Sequence, residues 1–72
     1  NNFSERGTVV VTIFVNRAGI VTRVITGAKG STTSDTKLLQ LAKDAALRAR
    51  FSQKEDAAEE QKGTITYIFE LN

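Results

Sequence analysis

GTVVVTIFV, running from Gly7 to Val15, is the longest apolar run of the chain, rich in β-branched residues and free of proline. Such a run reads as a β-strand. Side chains alternate across a strand, so Gly7, Val9, Val11, Ile13 and Val15 share one face, and Thr8, Val10, Thr12, Phe14 and Asn16 share the other. The first face is wholly apolar, while the second mixes Val10 and Phe14 with threonines. A central strand in a sheet covered on one side by a helix has this pattern, and the domain is read outward from it.

Strand one, residues 7–16, ends in Asn16-Arg17-Ala18-Gly19. That is a tight turn with Gly19 at the φ > 0 position, which makes a hairpin with a second strand over 20–26. Ile20, Thr22, Val24 and Thr26 alternate with Val21, Arg23 and Ile25, so alternation leaves the register open. A polar residue on each face suits an edge strand. Residues 27–33 form a loop by composition. Lys29 precedes Gly30, which does not fit a phosphate-cradling loop with four residues between its first Gly and a Gly-Lys pair. The run Ser31-Thr32-Thr33-Ser34 is expected to cap a helix instead.

That helix is expected over 35–50. Leu38, Leu41, Ala42, Ala45, Ala46 and Ala49 recur at helical spacing, with Leu39 on the flank. Asp35 suits the positive end of the helix dipole, and Arg48 and Arg50 suit the negative end. Alanines on the buried side let the helix approach a sheet of Val and Ile closely. Leu47 falls off this stripe as a surface leucine, and Asp44 and Arg48 are spaced to pair. The expected core is therefore Val9, Val11, Ile13, Val15, Leu38, Ala42, Ala45 and Ala49, with Phe51 folding back onto it.

The stretch 52–62, SQKEDAAEEQK, has almost no apolar content and reads as an exposed charged loop. Gly63 then opens a third strand over 64–71. Ile65, Tyr67, Phe69 and Leu71 form its apolar face, and Thr64, Thr66, Ile68 and Glu70 the other. Residues 1–6 are a polar lead-in in which Phe3 either tucks against the sheet edge or belongs to contacts made by upstream sequence. The expected fold is α+β, a β-β-α-β chain with a three-stranded antiparallel sheet in the order 2-1-3 and one helix on one face. Strand three is then a long, regular edge without proline, a liability unless something pairs with it.

Seventy-two residues make one domain at most, and so short a chain buries little more than about 60% of its unfolded surface. There is no Cys and no His, which removes disulfides and the usual nucleophile–base pairs and leaves only carboxylates and backbone as metal ligands. No cofactor or metal is expected, and the chain does not read as an enzyme. The net charge of +2 comes from scattered residues, which is no nucleic-acid footprint. Tyr67 and Phe69 share a face with Ile65 and Leu71, so they read as core rather than as base-stacking platforms. No run approaches the length of a membrane span, and no signal peptide is marked.

Three segments together carry a resemblance: GTVVVTIFVNRAGIV from Gly7, AALRARF from Ala45 to Phe51, and GTITYIFELN from Gly63 to Asn72. In this order and spacing the chain resembles the C-terminal domain of TonB-family energy transducers, most closely the Bacteroidetes-type variants. The resemblance implies a periplasmic domain, tethered by an upstream region to the inner membrane and its proton-driven motor proteins. It implies a partner, the N-terminal segment of a TonB-dependent outer-membrane transporter, added as a strand to the edge formed by Thr64, Ile65, Thr66, Tyr67, Ile68, Phe69, Glu70 and Leu71. Backbone pairing along an open edge tolerates many partner sequences. The chain departs from the family in lacking an upstream Tyr-Pro pair and in having Ser52-Gln53 after Phe51 where Pro often follows. It is then either a domain whose upstream element lies before Asn1 or a shortened relative. The alternative is a structural or oligomerising TonB-like domain, a homodimer in which the same edge pairs with itself.

Overall fold

In the computed structural model, residues 6–53, 56 and 59–70 are described. The lead-in 1–5, with Phe3, lies outside them, as do Leu71, Asn72 and residues 54, 55, 57 and 58 of the charged stretch. The elements are β1 (Gly7–Asn16), β2 (Val21–Ile25), α1 (Thr36–Arg48) and β3 (Glu60–Phe69). The sheet is antiparallel with order β2-β1-β3, as expected, and α1 packs on one face.

The β1–β2 turn forms as the sequence predicts. Gly19 has φ of 84°, and its N–H donates to the Asn16 carbonyl at 2.9 Å. The Asn16 side chain locks the turn by accepting from the N–H groups of Ala18 and Ile20, both at 3.0 Å. Beyond it, β2 is shorter than the expected 20–26. A bulge explains its unclear alternation: Phe14 faces Arg23, but Val15 faces Val21. Thr22 is the extra residue, and its hydroxyl donates to the Phe14 carbonyl at 3.3 Å. The bulge lets Val21 and Val24 both face the core, while Arg23 lies over the Phe14 ring at 4.0 Å on the helix-free side.

The helix starts differently from the expectation. Asp35 itself is the N-cap, its carboxylate accepting from Lys37 N–H at 2.9 Å and Leu38 N–H at 3.1 Å. Of the four hydroxyl residues, Thr33 supports this cap by accepting from Asp35 N–H. Ser31 and Thr32 turn away to the sheet. The helix ends at Arg48 rather than residue 50, because Ala49 is extended. Arg50 then bridges to Ile20, and Phe51 N–H donates to the Gly19 carbonyl at 2.9 Å. The Arg50 guanidinium reaches back to the carbonyls of Leu47 and Ala49, where a cation meets the negative end of the helix. Asp44 takes a hydrogen bond from Gln40 at 2.8 Å.

The buried core is Val9, Val11, Ile13, Val21, Leu38, Ala42 and Ala46. Val15 and Ala49 pack against it, half-buried. Two expectations are corrected. Ala45 sits on the shoulder of the helix, half-exposed, while Ala46, also in the expected stripe, is the one buried in the core. Phe51 is 45% exposed: with its backbone N–H held by the Gly19 carbonyl, it borders the cleft beside β3 instead of joining the core.

The last strand is longer than its sequence suggests. It begins at Glu60, so Glu60, Gln61 and Lys62 belong to it rather than to a loop, and Gly63 lies inside it. All ten residues of β1 find partners in β3, from Gly7 with Phe69 to Asn16 with Glu60. A long central strand offers a ladder, and backbone pairing recruits even a polar segment to it. No helix among the described residues is long and apolar enough to cross a membrane.

Candidate functional site: the outer edge of strand three

Hydrogen-bond direction alternates along an antiparallel strand, which fixes what each residue of β3 can offer. On β1, Thr8 and Val10 point their backbone groups away from β3. Thr8 N–H donates to Thr32 Oγ1 at 2.8 Å, and Thr8 C=O accepts from Thr32 N–H at 2.8 Å. Val10 N–H donates to Ser31 Oγ at 2.9 Å, and Val10 C=O accepts from Ala28 N–H at 3.1 Å. Val9, Val11 and Ile13 therefore face β3, opposite Tyr67, Ile65 and Gly63. By the same alternation the N–H and C=O groups of Lys62, Thr64, Thr66 and Ile68 point outward, along the free side of the sheet.

The expected edge is thus divided into two sets. Thr64, Thr66 and Ile68 carry the outward backbone; Ile65, Tyr67 and Phe69 pair inward with β1. Glu70 follows the strand and is exposed, and Leu71 lies outside the described residues. Lys62 was missed by sequence reading, because a charged segment gives no strand signal. Only the ten-residue length of β1, which needs a partner along all of it, points to Lys62.

Side chains divide the same way. Ile65, Tyr67 and Phe69 face the helix side, but α1 lies mainly over β1 and β2. These three are consequently packed against the core yet only half-buried. On the opposite face Ile68 is 69% exposed. A strand laid along β3 would add backbone hydrogen bonds and cover apolar surface together.

At the Gly63 end, a cleft of about 380 Å³ opens between β3 and the segment after the helix. Ile13 and Val15 floor it, and Phe51 stands at its side. No group of three or more His, Cys, Asp or Glu gathers among the described residues in a way that suits a metal ion. Compared with protein-family models, with curated proteins and with solved structures, the chain matches none of them.

Proposed function

We propose that this domain accepts a peptide as a fourth strand along the outer edge of β3, and that the peptide is the N-terminal segment of a TonB-dependent outer-membrane transporter. In this reading the domain works in the periplasm, tethered upstream to inner-membrane motor proteins, and passes energy from the proton-motive force to the transporter for substrate uptake. One observation carries it: the outward N–H and C=O groups of Lys62, Thr64, Thr66 and Ile68 form a regular row on a proline-free strand, with half-buried aromatics beneath. A retained open edge is otherwise a hazard, which proteins usually blunt. Strand addition also suits force. A pull along the peptide loads its backbone hydrogen bonds together in shear, so the grip does not depend on one side chain.

The test is a titration of the domain, its mass fixed by light scattering, with peptides copied from transporter N-terminal segments. Amide shifts in a monomer centred on Lys62, Thr64, Thr66 and Ile68, lost in Thr66→Pro, are the expected result. Shifts confined to other elements would overturn the reading. A dimer whose dissociation by dilution exposes the same four amides would support the second reading, self-pairing through this edge. That reading is favoured by the exposed side chain of Ile68 beside it.

A further inference from the structure

The helix-side stripe of β3 reads Gln61, Gly63, Ile65, Tyr67, Phe69, and Gly63 is a gap in it. Nothing in the backbone requires glycine there. The residues with positive φ are Gly19, Gly27 and Gly30, and a Cβ on Gly63 would meet only Ile13 Cγ1, at an ordinary 3.8 Å. A glycine inside a strand with no such need often marks a place where a ligand approaches closely. Here the missing side chain leaves Ile13 and Val15 as the floor of the cleft, with the exposed ring of Phe51 as its wall. Lys62 and Thr64, whose backbone groups point outward, line the same cleft. It is therefore continuous with the open edge.

Resting on the strand-addition reading, we infer that the cleft fixes the register of the added strand by taking one bulky apolar side chain of the peptide, the one directly across from Gly63. Cross-strand neighbours project to the same face. A guest residue opposite Gly63 points to the helix side, where no host side chain meets it, and reaches Ile13, Val15 and Phe51. Guest residues two and four positions along stand beside Ile65 and Tyr67, where space is smaller. The occupant is thus a phenylalanine- or leucine-sized residue within an extended segment.

Gly63→Val tests this, because valine suits a strand, its Cβ has room beside Ile13, and its branched side chain fills the gap from within. The probes are peptides copied from transporter N-terminal segments, each with Phe, Ala or Gly placed in turn at every position. On the unaltered domain, Phe at one position should bind about tenfold or more tighter than Gly there, from the apolar area it buries. Phe at its neighbours should not. In Gly63→Val, with a melting temperature at or above that of the parent, this preference should fall to within about twofold while Gly-bearing peptides bind as before. Flat positional preference, or a preference that survives Gly63→Val, overturns the inference and leaves strand addition standing if Thr66→Pro still abolishes binding. Binding that survives Thr66→Pro, or no binding by any peptide, overturns both.

Discussion

β1 has a neighbour on each side, and the two sides are finished differently. Towards β2 the regular ladder stops at Ile25, opposite Thr12, and would leave the backbone of Val10 and Thr8 bare. The following loop closes that gap with the N–H groups of Ala28 and Thr32 and the hydroxyls of Ser31 and Thr32, while Gly30 lies against Val10 on the helix-free face. The start of β2 is in turn covered by Arg50 and Phe51. Towards β3 the ladder runs the full ten residues, and beyond it the outward row on Lys62, Thr64, Thr66 and Ile68 is left open among the described residues. The comparison teaches that sealing an edge takes specific residues in specific places, and that this chain applies them to one side only.

The largest effect should come from breaking the division of β3 itself. Tyr67→Pro removes an N–H that faces Val9 and leaves a buried carbonyl unpaired, costing roughly 2–4 kcal/mol once the strand's distortion is included. Thr66→Pro, one residue away, removes an outward N–H and should cost clearly less than Tyr67→Pro while eliminating peptide binding. Urea melts of the two variants check this. Equal destabilisation would mean that the outward and inward sets are assigned wrongly.

Next comes the closed side. A Cβ at Gly19 would fall on the carbonyl oxygen of Phe51, on a backbone already at positive φ. Gly19→Ala should therefore cost about 2 kcal/mol or more, release residues 50 and 51 from the start of β2, and raise amide exchange at Phe51. An unchanged Phe51 amide would show that the turn absorbs the methyl without opening.

A smaller effect separates the covered face from its shoulder. Ala46 is fully buried, so Ala46→Leu should overpack α1 against β1 and β2 by about 1–3 kcal/mol. Ala45→Leu, on the half-exposed shoulder, should change the thermal midpoint little. The reverse order would place the helix over β3 instead and remove the half-open aromatic face from the proposed site.

These contrasts also mark what the sequence made legible. The order β2-β1-β3, the Asn16–Gly19 turn and the stripe through Leu38 and Ala42 follow from periodicity and turn chemistry, which are local. The length of β3 does not, because Glu60, Gln61 and Lys62 become strand only when β1 offers them a ladder. Nor does the bulge at Thr22, which exists to turn both Val21 and Val24 inward. Phe51 looked like core by composition, yet it stands 45% exposed in an extended segment whose backbone pairs with Gly19. The same limit applies to the site: alternation along β3 identified an edge, but which of its residues face outward depended on where Ser31 and Thr32 make their hydrogen bonds.

Those two hydroxyls give the finest test of the comparison. Each replaces a strand partner that β1 lacks, Ser31 at Val10 and Thr32 at Thr8. Removing both, as Ser31→Ala with Thr32→Val, should cost about 1 kcal/mol per bond at most, because water can reach part of this edge. The more telling readout is local. Amide exchange at Thr8 and Val10 should accelerate while Val9 and Val11, held by β3, stay protected. Acceleration of all four alike would mean that β1 opens as one unit and that the loop only decorates it. Acceleration of the even pair alone would establish that the loop acts as a substitute strand on one side of β1, the side that needs no partner from outside.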